Sequence, residues 1–353
     1  MTKADFFSTA PPRLTIELPH VVNDETKRYL ENFKWPPKSD SKTGSLLSLH
    51  HRISQRGLSP EENSIRFLET FWPAEPHSSQ VLVLSPQAEL SPLFFHYLKY
   101  NILEYKFSAN RHEAENLLGI SLEIPAKFLD DKTTFLPPLR NGSHSGELPM
   151  VSPFLWQAPN SNAALIFGDK WVELHDFLSH SLASQHLLPT PATLNGNVFS
   201  KTHPSWMEHV LKLARARGYF TLYPNFESSD TLATMHNELY QTPEEYAEDL
   251  DEENSDTELT ADPARYKSLK ENEKPLAVRS LLKILPFRGS LPKISLLPIL
   301  SWSGEVTSFG EILDSADDYS KVFRREIGGC EETAALKTQV ELMAGDLFCL
   351  DDR

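Results

Sequence analysis

The chain has 353 residues, with 34 Lys or Arg against 49 Asp or Glu, so its formal net charge is −15. At 40% hydrophobic and 10% aromatic residues, it can bury one large domain or two ordinary ones. This composition excludes the collagen-like, fully disordered and small disulfide-scaffold classes. The two cysteines, Cys330 and Cys349, are too few for a disulfide framework or a four-cysteine zinc site.

The charge and the hydropathy also limit the partners of the chain. Nonspecific contact with nucleic-acid phosphates needs clustered Lys and Arg, so we expect no nucleic-acid partner. No apolar run approaches the ~20 residues that cross a bilayer, and we expect no transmembrane segment. Asp5 and the prolines at 11 and 12 interrupt the N-terminus too early for a secretory signal, so the chain as written predicts a cytoplasmic protein.

The first third of the chain alternates between strand and helix patterns. Residues 13–18 predict a strand, residues 23–33 have the spacing of an amphipathic helix, and residues 45–53 predict a second strand. Ser59 and Glu62 then stand three residues apart, as in a capping box at the start of a helix.

The next elements continue this alternation. Ile65, Leu68 and Trp72 have the spacing of a buried helical stripe. Residues 80–84 form a short apolar run typical of a strand covered on both faces, and residues 91–107 predict a long aromatic helix. Strands and helices at these spacings imply right-handed crossovers and a mainly parallel sheet.

The middle of the chain begins with a loop pattern. Residues 130–159 are rich in Pro, Gly, Ser and Asn, and they include an N-glycosylation sequon at Asn141. Residues 163–167 predict another buried strand. Residues 205–218 predict a helix that starts with a capping box and ends at a glycine, and residues 219–223 predict the strand that follows.

The C-terminal third changes in character. Residues 244–258 are mostly Glu and Asp and predict a solvated, mobile segment. Residues 281–300 are apolar but are broken by three prolines, which favours extended segments at the edge of a domain. We therefore expect five regions: a disordered N-terminus (1–11), an α/β domain (12–240), an acidic segment (241–274), an edge-packing extension (275–312) and a helical tail (313–353).

Ligands in open α/β sheets bind beyond the carboxyl ends of the strands. In this chain that rule selects three segments, which follow three of the predicted strands: residues 85–89, 168–170 and 224–226. These segments are the first candidates for a functional site.

Four blocks of the sequence share a family pattern: residues 80–92, 95–100, 163–171 and 217–225, the last of which ends in Tyr-Pro-Asn. In this order they resemble a group of fungal and plant glycosyltransferases of the family-2-like class, which have a GT-A fold. The resemblance extends from about residue 12 to about residue 308 and is sharpest over 217–226, with His236 following. It implies a GT-A-like, mainly parallel sheet with flanking helices, extended by the C-terminal segment and helical tail.

The resemblance implies transfer of a sugar from a nucleotide sugar to a glycan, lipid or protein acceptor. In such folds an acidic run after a central strand holds Mn²⁺ or Mg²⁺ on the diphosphate. This chain departs from the acidic Glu-Asp-Asp version, since it has Ser85, Pro86 and Gln87 at those positions and only Glu89 nearby. The motif is degenerate, and the alternative function is a catalytically silent homologue that serves as a binding or scaffolding module.

Several residues become candidates for binding the substrate. Ser85, Gln87 and Asn225 follow predicted strands, and Trp156 has a ring that can stack on a sugar or serve as a buried anchor. Two basic residues end the helix before 219–223, where they either clamp a diphosphate or only complement the helix dipole: Arg215 and Arg217.

Metal and catalytic roles fall on acids and one histidine. Glu89 and His236 are the candidate metal ligands; the alternatives are an exposed carboxylate for Glu89, and a surface role or direct phosphate binding for His236. Inverting transfer needs a base near the acceptor hydroxyl. The candidates lie at the start of the helix after 163–167, where they equally suit a polar helix face: Asp169, Glu173 and Asp176.

The loss of acidic residues has a functional consequence. We expect any activity to depend less on Mn²⁺ than is usual for the fold, with Arg215, Arg217 or His236 compensating through charge-assisted hydrogen bonds. Relatives of this kind usually carry an N-terminal membrane anchor. The second expectation for location is therefore a Golgi or secretory-pathway membrane, if an anchor is missing from this chain.

Overall fold

A computed structural model describes most of the predicted α/β region and parts of the C-terminal third. The described residues are 4–6, 10–36, 45–53, 58–109, 111–130, 132–139, 151–187, 197–200, 203–228, 230–237, 275–278, 280–285, 289–330 and 344–349. The acidic segment 241–274 and the sequon at Asn141 lie outside these residues.

The described part of the chain contains strands and helices in alternating order. The strands are β1 (Leu14–Leu18), β2 (Leu47–His51), β3 (Gln80–Leu84), β4 (Ala88–Leu90), β5 (Leu117–Ser121), β6 (Phe154–Trp156), β7 (Ala163–Phe167), β8 (Phe220–Tyr223), β9 (Ala233–Met235), β10 (Ile299–Leu300) and β11 (Val306–Thr307). The α-helices are α1 (Asp24–Asn32), α2 (Pro60–Ile65), α3 (Phe94–Tyr105), α4 (Gly168–Leu187), α5 (Trp206–Arg217), α6 (Leu281–Ile284) and α7 (Phe309–Glu326).

The local signals in the sequence explain several helix ends. The Ser59 and Glu62 side chains form the predicted capping box at the start of α2. Gly218 ends α5 in the left-handed conformation, with φ of 66°, which a glycine adopts without strain. The capping box predicted for α5 is wrong, because Ser205 caps the helix while the Glu208 carboxylate accepts hydrogen bonds from the backbone N–H groups of Phe199 and Ser200.

Seven strands form the central sheet, in the order β11-β10-β6-β8-β5-β7-β3. The predicted α/β class, with helices flanking a central sheet, is confirmed. The sheet is mixed, because β5 with β8 and β6 with β10 are parallel pairs whereas the other neighbours are antiparallel. Helix α3 carries the chain from β3 past one position to β5, and β7 later fills that position in the opposite direction.

The apolar run at 80–84 does form a strand, but not a fully buried one. Strand β3 is at the end of the seven-stranded sheet, and all five of its residues are half-buried. Strands β1 and β2 pair in parallel as a separate two-stranded sheet. The helical stripe also ends early, since α2 gives way to a 3-10 helix at 66–70 and Trp72 is 61% exposed.

Strands β5 and β6 are among those of the sheet that the sequence analysis did not predict. Strand β5 is completely buried at the centre of the sheet, and β6 lies inside the segment that was expected to be a loop. Gly119 allows β5 to approach β7 closely, because a Cβ at this position would lie 1.9 Å from the Leu165 carbonyl oxygen. A close approach of this kind leaves no periodic pattern in the sequence from which the strand could be predicted.

The core lies on both faces of the sheet. On one face, α3 and C-terminal residues such as Leu297 cover β5 and β8, in a cluster that includes Phe94, Ile120 and Leu222. On the other face, α4 and α5 pack through Trp171 and Val210. The sheet is therefore covered by helices on both sides, as the α/β class requires.

The two ends of the described chain also contact the core. Phe6, in the segment that was predicted to be disordered, packs edge-on against Trp35 and Phe95. At the C-terminal end, Cys330 and Cys349 form a disulfide that the cysteine count did not predict. Leu347 and Phe348, next to this disulfide, are buried against α4 and α7. No helix within the described ranges combines the length and the apolar character needed to cross a membrane.

Loss of the disulfide should lower the stability of the protein. Cys330 and Cys349 are 19 residues apart, and a crosslink of that span contributes about 3 kcal/mol by restricting the unfolded chain. We expect Cys349→Ser, or dithiothreitol added to the native protein, to lower the urea midpoint accordingly. The double variant Cys330→Ser/Cys349→Ser is the control and should not respond to reductant. A native protein whose urea midpoint ignores reductant would contradict this pairing.

Candidate functional site

Strand direction decides which of the candidate segments share one edge of the sheet. Strand β7 is antiparallel to both β3 and β5, and β5 is parallel to β8, so β3, β5 and β8 point the same way. We call the edge where these three strands end the β3–β8 edge. It receives residues 85–89 and 224–226, whereas residues 168–170, which follow β7, lie at the opposite edge. The three segments selected from the sequence therefore do not form one site.

Neutral polar groups of Ser85 and Gln87 lie at the β3–β8 edge, directly after β3. The backbone N–H of Ser85 donates to the Asn162 carbonyl at 2.7 Å, which joins the end of β3 to the start of β7. The Ser85 hydroxyl donates to Gln87 Oε1 at 2.8 Å. Ser85 and Gln87 are therefore held together, in the place where the sequence put a candidate for substrate binding.

Glu123 is a buried carboxyl at this edge that the sequence analysis missed. It follows β5, is 7% exposed, and its Oε1 accepts hydrogen bonds from the side-chain amides of Asn160 at 3.2 Å and Asn162 at 2.8 Å. Burial raises the pKa of Glu123, against the lowering effect of the two amides. The strand-end rule would have selected Glu123 if β5 had been predicted.

Glu89 and His236, the two candidate metal ligands, come into contact. Strands β4 and β9 pair in an antiparallel manner, and the His236 backbone N–H donates to the Gln87 carbonyl at 3.1 Å. His236 Nε2 lies 3.0 Å from Glu89 Oε2, and the Glu89 side chain is largely exposed. The sequence identified both residues, and the strand pairing explains why they meet.

This pair by itself offers fewer ligands than a divalent cation usually takes from a protein. Mg²⁺ and Mn²⁺ require several oxygen ligands, and a site that borrows substrate phosphates still uses one or two carboxylates that are available to the metal. Here the one carboxylate, Glu89, is already hydrogen-bonded by the imidazole. Among the described residues, no group of three or more His, Cys, Asp or Glu side chains is arranged to hold a metal.

Asn225, the third candidate for substrate binding at the β3–β8 edge, lies just beyond the end of β8. It is buried two residues beyond Tyr223, whose hydroxyl donates to the Ala158 carbonyl at 2.9 Å. The adjacent Phe226 packs edge-on against Tyr97 on α3. The backbone at the end of β8 is thus held on one side by the Tyr223 hydrogen bond and on the other by the packing of Phe226.

The opposite edge holds the candidate base Asp169 in an ion pair. Its carboxylate binds the ammonium group of Lys106, which also lies 4.5 Å from the centre of the Phe167 ring. The neighbouring Lys170 is buried, with its ammonium 3.8 Å from the centre of the Tyr219 ring. Asp169 is therefore remote from Ser85 and Gln87, and its charge is already paired.

Glu173 and Arg217 form a buried ion pair at the same edge. Glu173 is 4% exposed, and its two oxygens accept hydrogen bonds from Arg217 Nε and from the Tyr219 hydroxyl, both at 2.7 Å. The other two nitrogens of Arg217 bind both oxygens of Asp346, at 2.6 and 3.0 Å. In this arrangement Glu173 cannot reach an acceptor hydroxyl, and Arg217 cannot reach a diphosphate.

The remaining candidates are also engaged by the protein. Asp176 accepts a hydrogen bond from the Gly345 backbone N–H at 3.0 Å and lies beside His180. The Arg215 guanidinium stacks on the rings of Trp302 and Tyr319, at 4.2 and 4.0 Å from their centres. Trp156 is buried in an aromatic cluster, so its ring serves as a core anchor, the alternative left open from the sequence.

Two comparisons with known proteins returned no relative. No protein-family model matches the chain, and a search of curated proteins found no match. The assignment of function therefore depends on the geometry and on the resemblance seen in the sequence.

The buried ion pair predicts a structural role for Glu173. Glu173→Gln removes a charge that faces Arg217 in the protein interior, and we expect a loss of about 3 kcal/mol of unfolding free energy. Asp169→Asn is the matched control on the same helix, and should cost about 1 kcal/mol or less because the Asp169 carboxylate is 35% exposed. Urea unfolding of the two variants tests this; equal effects would show that the burial of Glu173 does not matter.

The buried carboxyl Glu123 predicts a pH-dependent stability. Because its pKa is raised in the folded protein above the ordinary 4.5, the native state keeps this proton to a higher pH than the unfolded chain does. The free energy of unfolding therefore falls as the pH rises from 4.5 through the folded pKa, and Glu123→Gln should remove this part of the decline. Urea titrations from about pH 4 to about pH 8 measure it. Glu115→Gln, at an exposed position, should leave the slope unchanged, and an equal slope in Glu123→Gln would refute the assignment.

Proposed function

We propose that this protein is a glycosyltransferase homologue of the GT-A type that binds a nucleotide sugar at the β3–β8 edge and is catalytically silent. The observation that carries the proposal is the separation of the candidate groups. The neutral polar side chains of Ser85, Gln87 and Asn225 belong to this edge, while the acids and arginines expected to drive transfer are paired elsewhere.

The proposal of nucleotide-sugar binding comes from the resemblance of four sequence blocks. Hydroxyl and amide groups such as those of Ser85, Gln87 and Asn225 suit the hydroxyls of a ribose or a sugar, because each group can donate or accept. Silence is supported by the contacts of Glu173, both of whose oxygens are occupied.

Binding in this proposal does not use a divalent cation. The acidic run is replaced by Ser85, Pro86 and Gln87, and the Glu89–His236 pair does not fit a metal. Arg215 and Arg217, which were expected to compensate, are held by aromatic rings and by carboxylates. Of the three residues expected to compensate, His236 alone lies at the β3–β8 edge, and its ring can donate a hydrogen bond to a phosphate oxygen once that oxygen replaces Glu89 as its partner.

A second candidate function is active sugar transfer with Glu123 as the base. The observation in its favour is the place of Glu123, a carboxyl at the β3–β8 edge that is held by Asn160 and Asn162 through Oε1 and whose pKa is raised by burial. In this alternative Glu123 takes the proton of the acceptor hydroxyl as the hydroxyl oxygen bonds to the anomeric carbon. The nucleotide diphosphate leaves with the electrons of the bond that breaks.

The disulfide favours the secretory alternative for the location of the protein. Disulfides persist in oxidising compartments and are rare in the cytosol. The pairing of Cys330 with Cys349 agrees in this respect with the sequon at Asn141, which has a meaning only for a chain that enters the secretory pathway.

Binding measurements with nucleotide sugars test the proposed function. We expect UDP-glucose or GDP-mannose to bind in isothermal titration calorimetry, with an affinity that EDTA and Mn²⁺ leave unchanged. His236→Gln should weaken binding about tenfold or more, the effect of losing one hydrogen bond to a charged group. His112→Gln is the matched control, because His112 makes the same 3.0 Å contact with a glutamate, Glu115, at an exposed site.

Three results would change the conclusion. Absence of binding by a folded protein would refute the nucleotide-sugar site. Binding that EDTA abolishes and Mn²⁺ restores would refute metal independence. Sugar transfer that disappears in Glu123→Gln would replace silence by the active alternative.

A further inference from the structure

A second candidate site, which we call the second cavity, lies apart from the β3–β8 edge. It has a volume of about 750 Å³ and lies between residues 128–130 with 132 and 133, residues 197–199, and the turn at 302–305. Cavities of about 300–1,000 Å³ are typical of small-molecule sites. The cavity contains none of the residues assigned to the β3–β8 edge.

Aromatic side chains form the apolar part of this cavity. Phe128, Phe199 and Trp302 line it, and all three are half-buried, so part of each remains accessible. The Arg215 guanidinium stacks over the Trp302 indole at 4.2 Å, and the Trp302 backbone N–H donates to Gln157 Oε1 at 3.3 Å. Trp302 is therefore held in position by contacts from α5 and from the end of β6.

The turn that carries Trp302 is fixed by its own hydrogen bonds. The backbone N–H of Gly304 donates to the Ser301 carbonyl at 2.9 Å, and that of Ser301 donates to the Glu305 carbonyl at 2.8 Å. Gly304 has φ of 91°, and a Cβ there would lie 2.3 Å from the Phe128 ring. A glycine is needed for this turn to adopt its conformation and for Phe128 to pack against it. Phe128 therefore packs directly against the turn that carries Trp302.

Charged and polar side chains occupy the rest of the lining. The Asp130 carboxylate accepts hydrogen bonds from the backbone N–H groups of Lys132 and Thr133, both at 2.9 Å, and from the Thr133 hydroxyl at 2.6 Å. These bonds lower the pKa of Asp130 to about 2, so it is ionised at neutral pH. Glu305 and Lys132 are the other charged lining residues, and Asn197 adds an amide. Two carboxylates and one ammonium give the described lining a net charge of −1.

We propose that this cavity binds a neutral saccharide. A pyranose ring has an apolar face of C–H groups, which packs on aromatic rings, and a rim of hydroxyls, which donate hydrogen bonds to carboxylates. Phe128, Phe199 and Trp302 supply the rings, and Asp130 and Glu305 supply the acceptors. The lining offers two carboxylates and a single ammonium group, a set that suits the hydroxyls of an uncharged sugar better than it suits phosphates. The proposal does not rest on the proposed function.

Titration with neutral trisaccharides tests this site. Maltotriose, cellotriose, mannotriose and N,N′,N″-triacetylchitotriose are added separately to the intact protein, without nucleotide, and binding is measured by calorimetry and by saturation-transfer NMR. We expect at least one of them to bind, and Trp302→Ala to weaken that binding about tenfold or more. Trp72→Ala is the matched control, because Trp72 is also an accessible tryptophan, 61% exposed, and does not line the cavity.

A second variant keeps the test independent of folding. Glu305→Gln preserves the shape of an exposed side chain, and it should weaken binding several-fold through loss of a charged acceptor even if Trp302→Ala does not fold. Circular dichroism and thermal melting establish that each variant is folded. Failure of all four trisaccharides to bind at about 10 mM, or equal binding by Glu305→Gln and the unaltered protein, would overturn the proposal. Competition by UDP would do the same, because the proposed ligand is an uncharged sugar.

Discussion

The guanidinium group of Arg217 connects three parts of the chain that are far apart in sequence. One of its nitrogens donates to Glu173 on α4, and the other two donate to Asp346 in the C-terminal segment. The second oxygen of Glu173 accepts a hydrogen bond from the Tyr219 hydroxyl. A buried cation is tolerated only when its charge and its hydrogen bonds are satisfied, so the C-terminal segment must be docked for α5 to be buried as observed. The disulfide between Cys330 and Cys349 keeps that segment next to its partner. Because both carboxylates are needed for this purpose, neither is available for chemistry.

The direction of β7 has an equally large effect on where chemistry can occur. By entering antiparallel between β3 and β5, this strand brings its preceding residues, Asn160 and Asn162, to the edge where β3, β5 and β8 end. The same direction takes Asp169, which follows the strand, to the other edge. The β3–β8 edge therefore holds Glu123, bound by two amides, while the Asp169 carboxylate lies at the other edge. This separation of groups is the reason that we propose a silent binding protein.

The two proposed binding regions differ in their chemistry, and the difference follows from which elements form them. At the β3–β8 edge, strand ends present short neutral side chains and the single Glu89–His236 contact. In the second cavity, turns present half-buried rings together with carboxylates, and a cation from α5 lies behind Trp302. A protein with both regions would bind a nucleotide sugar and a neutral saccharide at separate places. That combination suits a binding module and does not require transfer.

The sequence by itself determined the α/β class and the local structure of several elements. The apolar runs of β3 and β7, the capping box at Ser59 and the glycine stop at Gly218 were all readable, because each depends on residues only a few positions apart. It also identified Glu89 and His236, but their contact spans 147 positions and depends on the pairing of β4 with β9. The tertiary structure alone decided that Arg217 would bind Asp346, 129 positions away, and that β5 and β6 would be buried strands. Such contacts depend on the free energy of burying charges and apolar surface together. They join residues that are distant in sequence, so no local pattern in the chain predicts them.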